Sequence, residues 1–307
     1  MLRFTPFSMN NIIITGGSGL LGSHLLPFLE SKKFVPAILS RKIRKDDSNF
    51  YAWDPESDKI DLSVLNGASA IIHLAGAGIA DKSWTDKRKK EILDSRVKSA
   101  ELLFETLKNN PHTIRTIVSA SAVGIYGDGG DEWKTEESSI DHGFLQDTCR
   151  AWEESVQRFK ELGIRVVILR IGVVLAKDGG AYPQMALPIK FFAGAALGSG
   201  EQYISWIHID DLCRMITYAL KNEKTQGVYN AVSSQPVTNR EFYRVLANNL
   251  NRPLWPFNVP ASMLNIILGK KAEIVLSGQR VCNKKVLSTG FEFNFNNLPE
   301  VIEKLEA

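Results

Sequence analysis

The sequence predicts an α/β fold built on a doubly wound parallel sheet, with a smaller C-terminal α/β lobe. Three observations carry this. Apolar, β-rich runs alternate with amphipathic helical stretches through the first two thirds of the 307 residues. Those runs are near-continuous Ile, Val and Leu, as strands covered on both faces require. After Leu175 the chain becomes rich in Gly, Pro and Ala, and the regular alternation stops.

The elements follow in order. "NIIIT" (11–15) is a buried strand and "GLLGSHLLPFLESK" the helix after it, interrupted by Pro27. "FVPAILS" (34–40) is a second strand, and "ASAIIHLAGA" (68–77), fed by a turn at Asn66, is another. Ile92, Val97, Leu102, Leu103 and Phe104 lie near helical spacing in 86–110, a helix that ends before Pro111. A strand over 115–122, a helix over 147–162 stopped by Gly163, and a strand over 164–175 complete the series. Strands alternating with helices of about ten or more residues form βαβ units and a parallel sheet. Residues 10–175, with 205–232 returning to them, make the main domain. Residues 176–204 and 233–307, with a helix near 239–250, make the smaller lobe over the carboxyl edge of the sheet.

Composition narrows the function classes. With 44% hydrophobic residues, 23% charged residues and a net charge of +3, the chain has neither the basic excess of a nucleic-acid binder nor that of a membrane-surface protein. Cys149, Cys213 and Cys282 lie far apart, with no spacing for a metal or a disulfide framework. They point to a reducing compartment, the cytoplasm. No run of about 18 apolar residues is present. The leader "MLRFTPFSM" is too short for a secretory signal and reads as an extension, with Met9 an alternative start. The expected partner is a small molecule; the sequence carries no sign of oligomeric state.

The first strand runs into Gly16, Gly17, Ser18, Gly19, Leu20, Leu21 and Gly22. Glycine in a strand–helix joint is costly unless something must approach the backbone. Gly16 permits the tight turn, Gly19 removes a Cβ where a diphosphate would touch the main chain, and Gly22 lets the helix pack close. The helix amino end then offers free N–H groups to phosphates. Strand, glycines and helix arriving together in a βαβ unit mark a Rossmann-like dinucleotide site. A P-loop is excluded because no Lys-Ser/Thr pair follows Gly22. At the end of the second strand an NAD site wants a carboxylate. This chain has Ser40, Arg41 and Lys42, with Arg44 and Lys45 behind. Arg41 suits a 2′-phosphate, so NADP(H) is expected over NAD(H).

"TGGSGLLG", "HLAG" (73–76), "SASAVGIYG" (119–127) and "WIHIDDL" (206–212) resemble the extended short-chain dehydrogenase/reductases, the NAD(P)-dependent epimerase/dehydratase superfamily. "WTDKRKKEILDSR", "FLQDTCRAWE", "RIGVVLAKDGGA", "GSGEQYISWIHIDDL" and "LSGQRV" are similar to its "epimerase family protein" subgroup, which carries a short C-terminal domain of its own. The resemblance covers nearly the whole length. It implies that Leu74, Ala75, Gly76 and Ser119 border the cofactor, and that Ser121 faces the nicotinamide end. It also implies a Tyr-x-x-x-Lys pair, in which the lysine lowers the phenol pKa for proton exchange. That pair is missing. Four residues after Tyr51, Tyr126, Tyr182, Tyr203, Tyr218, Tyr229 and Tyr243 stand Pro55, Gly130, Ala186, Ile207, Asn222, Ser233 and Ala247.

The remaining candidates have two readings each. Ser121 and Tyr126 are the catalytic candidates, although Tyr126 without a lysine is equally a structural residue. Arg150 binds an anionic substrate group or pairs with Glu153 or Glu154. Lys82 and Trp84 roof the cleft, or belong to a solvated face. His73 and His208 read as structural, Asp210 and Asp211 as helix caps, and Cys149 as packing. "KDGGAYPQ" (177–184) and "LSGQRV" are expected on the substrate side. The expected function is an NADP(H)-dependent oxidoreductase or epimerase-like enzyme acting on a small carbonyl or sugar-type substrate. The alternative is a non-catalytic NADP(H) sensor.

Overall fold

The computed structural model describes residues 10–42 and 49–307; the leader 1–9, Arg44 and Lys45 lie outside them. The first βαβ unit is β1 (Asn11–Thr15), α1 (Leu20–Ser31) and β2 (Val35–Ser40). β1 and β2 pair in parallel from Asn11↔Val35 to Thr15↔Leu39. Pro27 stands inside α1 without ending it. It lies on the exposed face, where the carbonyl it leaves unpaired faces water.

β3 (Phe50–Asp54) adds in parallel to β2, and β4 (Lys59–Ile60) closes a hairpin on it. The chain then crosses to the other side of β1 as β5 (Ala68–His73), followed by α2 (Asp86–Asn109), β6 (Thr116–Ala122) and the short β7 (Trp133–Lys134). α3 (Phe144–Gln157) and β8 (Arg165–Ile171) follow. Next come β9 (Val173–Ala176), β10 (Gly179–Gly180), α4 (Ala181–Lys190), β11 (Tyr203–Ile204) and β12 (Trp206–His208). α5 (Ile209–Lys221) and β13 (Gly227–Ala231) return to the main sheet. β14 (Val237–Thr238), α6 (Asn239–Asn249), α7 (Ala261–Leu268), α8 (Glu273–Leu276), β15 (Arg280–Val281), α9 (Lys284–Leu287) and α10 (Leu298–Glu306) complete the chain.

The eight-stranded sheet runs β13-β8-β6-β5-β1-β2-β3-β4, parallel except at β4. Strand order reverses between β1 and β5, the switch point where open α/β sheets bind ligands. One apolar layer joins the sheet to α1 and α5 through Leu25, Leu29, Leu212 and Ile216. The opposite layer joins it to α2 and α3 through Leu103, Phe104, Trp152 and Val156. A third cluster gathers α4, α6 and α10 around Trp206, Phe242 and Ile302. No helix among the described residues is long and apolar enough to cross a membrane.

Four expectations are corrected. The strand over 68–77 ends at His73: the Leu74 N–H still reaches the Thr15 carbonyl at 3.2 Å, but it and the Ala75 N–H turn onto the Thr15 hydroxyl, each at 3.1 Å. The strand over 164–175 breaks at Gly172, where a Cβ would collide with the Ser205 carbonyl; beyond it β9 pairs with β12 in a separate sheet. α3 begins at Phe144, whose ring packs edge-on against Trp84 with centroids 5.0 Å apart, and gives way after Gln157 to a tighter turn over 158–162. α5 is capped by His208, whose Nδ1 accepts from the Asp210 N–H, and not by the two aspartates. Asp211 is instead buried, accepting from the Asn294 and Phe295 N–H groups and from Arg214.

Candidate functional site

The carboxyl ends of β1, β2 and β5 open into a cleft of about 690 Å³, within the range of ligand sites. Gly16, Ser18 and Gly19 form one wall, Leu39 to Lys42 and Trp53 to Glu56 the far end, and Leu74 to Ala77 the floor. The turn after β1 needs its glycines. Gly16 sits at φ +72, and a Cβ on it would lie 2.7 Å from the Leu74 carbonyl oxygen. A Cβ on Gly22 would come within 2.5 Å of the Gly17 main chain, so α1 rests directly on the turn. No side chain caps α1, and no acidic residue stands in its first turn. The cleft therefore presents uncapped amides and a helix amino end to an anion.

At the end of β2 the Ser40 hydroxyl accepts from the Lys42 N–H at 3.1 Å and donates to its carbonyl at 2.9 Å. This tight turn leaves Arg41 and Lys42 exposed at the cleft's lip. Asp54 and Glu91 line the same lip with depressed carboxyl pKa values. Asp54 is held down chiefly by the Ser57 hydroxyl and Glu91 by Arg88, with Arg41 adding a smaller pull on each.

His73 is a post beneath the floor. It is fully buried, its Nδ1 is 2.9 Å from the Thr15 hydroxyl and its Nε2 3.3 Å from the Ser99 hydroxyl. Burial pushes its pKa down to about 4, which keeps the ring neutral at physiological pH.

Beyond the end of β6 lies a buried polar network. The Ser121 hydroxyl donates to Glu153 Oε1 at 2.7 Å. Arg170 grips the same carboxylate from Nε and Nη2, both at 2.8 Å. Its Nη1 donates to the Tyr126 oxygen at 2.9 Å, and the Tyr126 hydroxyl donates to Asn230 Oδ1 at 2.7 Å. Desolvation works against the Arg170 charge, but the Glu153 hydrogen bonds outweigh it and leave its pKa raised. Burial also raises the Tyr126 pKa, against the pull of Arg170. The phenol accepts from Arg170 and gives its proton to Asn230, so Tyr126 ties the turn after β6 to β8 and β13.

The sequence candidates therefore divide. Gly16, Ser18, Gly19, Ser40, Arg41, Lys42, Leu74, Ala75 and Gly76 meet around one cleft. Gly17, Leu20, Leu21 and Gly22 support it from the turn and α1. Ser119 and Ser121 are buried in β6, away from the cleft's lining. Arg150 pairs with neither Glu153 nor Glu154: it donates to the Asp141 carbonyl at 3.0 Å and lies 3.4 Å from Asp147, one turn away on α3. Trp84 is no roof; it is buried, donating its indole N–H to the Ile79 carbonyl at 2.8 Å, while Lys82 is exposed. The turn at Asp178 lies against α1, where His24 Nε2 meets Asp178 at 2.8 Å and Leu20 faces Gly179. "LSGQRV" closes on the loop after β6, Gln279 donating to the Gly127 carbonyl. Arg170 and Asn230 escaped the sequence reading, which offered Glu153 only as a partner for Arg150. The available signal was Arg170, a lone cation inside the apolar run "VVILRIGVV" that demands a buried anion.

A parallel sheet with a glycine turn at its switch point defines a Rossmann-like nucleotide-binding protein. Residues 12–231 match the NAD dependent epimerase/dehydratase family, and 259–305 match a domain of unknown function, DUF1731. The chain belongs to the NAD dependent epimerase/dehydratase family. The epimerase family protein YfhF of Bacillus subtilis (strain 168) is 36% identical over 301 residues, 97% of this chain and 98% of its own. A chloroplastic homolog of epimerase family protein SDR39U1 from Arabidopsis thaliana is 34% identical over 307 residues, 97% of this chain and 87% of its own. The crystal structure of human epimerase family protein SDR39U1 (isoform 2) with NADPH superposes with a TM-score of 0.87 at 28% identity, over 96% of this chain and 98% of that one.

Proposed function

We propose that this chain binds NADP(H), in preference to NAD(H), and exchanges a hydride with a small carbonyl- or hydroxyl-bearing substrate, as an oxidoreductase or epimerase-like enzyme. The cleft carries the reading: its uncapped helix amino end and bare glycines suit a diphosphate, and Arg41 on the Ser40 turn suits a 2′-phosphate. The similar human protein in complex with NADPH supports it. Leu74, Ala75 and Gly76 would border the ribose and nicotinamide, and the segments 176–204 and 233–307 would supply the substrate side. Three unpaired cysteines are in keeping with the cytoplasm.

Bound there, the nicotinamide supplies or takes up the hydride. In this reading Ser121 would polarise the substrate carbonyl; its hydroxyl donates to Glu153 and lies behind the residues that line the cleft, so the role requires the carboxyl end of β6 to open toward the nicotinamide. Tyr126 takes no part in it, its phenol committed to Arg170 and Asn230.

One observation favours the second reading, an NADP(H)-binding sensor without turnover: Ser121, Glu153 and Arg170 are all buried, as a purely structural network is. Absorbance at about 340 nm, followed for NADPH-loaded protein against a panel of carbonyl compounds, separates the two. Turnover that Ser121→Ala lowers by about 100-fold or more, the scale of one acid–base contribution, supports the enzyme. Tight NADPH binding with no turnover anywhere in the panel supports the sensor.

A further inference from the structure

Resting on that reading, we propose that His73 is a positioning residue for the cofactor, locked in the neutral tautomer that carries its proton on Nε2. Through the Thr15 hydroxyl it fixes the floor of the cleft against the glycine turn. The tautomer follows from counting protons and lone pairs. The Thr15 hydroxyl has one proton and two lone pairs. The Leu74 and Ala75 N–H groups donate to it, each at 3.1 Å, and His73 Nδ1 lies 2.9 Å away. The Leu74 N–H is shared with the Thr15 carbonyl at 3.2 Å. The two amides fill the lone pairs, so the remaining contact uses the hydroxyl's own proton, and Nδ1 is its acceptor.

The other side of the ring closes the count. The Ser99 hydroxyl lies 3.3 Å from Nε2 and donates its proton to the Arg96 carbonyl at 2.8 Å. Its oxygen therefore accepts, and Nε2 is the donor. Every hydrogen bond in the row points one way, from Thr15 to His73, from His73 to Ser99 and from Ser99 to the main chain of α2. The opposite tautomer would aim three N–H groups at the Thr15 oxygen and leave the hydroxyl proton without an acceptor. Thr15, His73 and Ser99 are each 0% exposed, so water is not at hand to take up an orphaned group.

The row matters to the cofactor because of what it joins. Thr15 ends β1 and leads into Gly16, while Leu74 and Ala75 follow His73 at the end of β5. Gly16, Leu74 and Ala75 all line the cleft, and a Cβ on Gly16 would lie 2.7 Å from the Leu74 carbonyl oxygen, so turn and floor touch there. Releasing either amide from Thr15 would lift the floor beside the diphosphate turn. The surroundings of the ring keep its proton count at one. Burial opposes a second proton most, and the charge of Arg96 on α2 adds to it, against the pull of the Arg96 carbonyl. On α3 the neighbour is the Trp152 ring, edge-on at 6.3 Å, and on β6 the Ser119 hydroxyl meets the His73 carbonyl at 3.5 Å, not the ring.

Nitrogen NMR spectra of histidine-labelled wild type read the tautomer directly, with His73 told apart from the other four of five histidines by its loss in His73→Asn. The proposal expects an unprotonated Nδ1 and a protonated Nε2 at neutral pH. NADPH titrations of the folded variants supply the positioning readout. Asparagine offers a carbonyl oxygen where Nδ1 stands, so His73→Asn and Thr15→Ser should keep the affinity within about threefold of wild type. His73→Leu and Thr15→Val should each lower it about tenfold or more, the scale of one buried hydrogen bond. The double variant Thr15→Val/His73→Leu should lose no more than either single one, since both act through one hydroxyl. A proton on Nδ1 overturns the proposal, and this is read on the wild type even where an apolar variant does not fold. So do Thr15→Val or His73→Leu proteins that bind NADPH as wild type does, or equal losses in the conservative and the apolar variants, which mark a purely structural role. A wild type that binds no NADPH would instead sink the functional reading beneath it, while the spectrum still decides the tautomer.

Discussion

Replacing Arg170 by methionine removes the cation from the buried network while keeping most of the side-chain volume. Arg170 is 4% exposed and Glu153 8%, so water cannot take the guanidinium's place. The substitution deletes two 2.8 Å contacts to Glu153 and the 2.9 Å contact to Tyr126, leaving the carboxylate with the Ser121 hydroxyl alone. Breaking such a pair from one side costs about 3–5 kcal/mol. With an unfolding entropy of about 2.1 cal/mol/K per residue, that lowers Tm by roughly 5–8 °C in a chain of this length. The assay is reversible thermal or urea unfolding of wild type, Arg170→Met and the double variant Arg170→Met/Glu153→Leu. Removing both charges should recover at least half of the loss, because an apolar pair of similar volume is tolerated where a lone buried carboxylate is not. A single-variant shift below about 2 °C, or a double variant no more stable than the single, would refute the claim that the pair is desolvated.

Two further outcomes follow from the same geometry. His73 has a folded-state pKa of about 4 against about 6.5 unfolded, so on acidification the unfolded chain takes up the proton first. Stability is lost as pH falls from about 6.5 to about 4, by roughly 3 kcal/mol from this residue, and His73→Gln should flatten that slope in urea titrations. An unchanged slope would contradict the assignment. Gly22→Ala places a methyl 2.5 Å from the Gly17 main chain, which cannot retreat without opening the turn. We expect a loss of about 1–3 kcal/mol and at least a tenfold drop in NADPH affinity; equal affinity would show that the turn is not the cradle.

Much of the sheet was legible because its signals are local. "NIIIT", the glycines and the apolar run of α1 sit side by side, and their order alone implies strand, turn and helix. β3 was passed over because "FYAWD" is short and ends in Asp, and β13 because "GVYNA" carries Asn230 where a strand would show another apolar residue. The break at Gly172 depends on the Ser205 carbonyl, distant in sequence, and no window around Gly172 contains it. The buried network is scattered over Ser121, Tyr126, Glu153, Arg170 and Asn230, and only the sheet order brings β6, β8 and β13 together.

Calorimetric titration of NADPH and NADH into the wild type and Arg41→Ala tests the central claim most directly. The account predicts that NADPH binds at least tenfold more tightly than NADH. It also predicts that Arg41→Ala lowers NADPH affinity about 10–100-fold, the value of one charge-assisted hydrogen bond, while NADH changes less than about threefold. No heat with either coenzyme, or equal affinities left unaltered by Arg41→Ala, would contradict it.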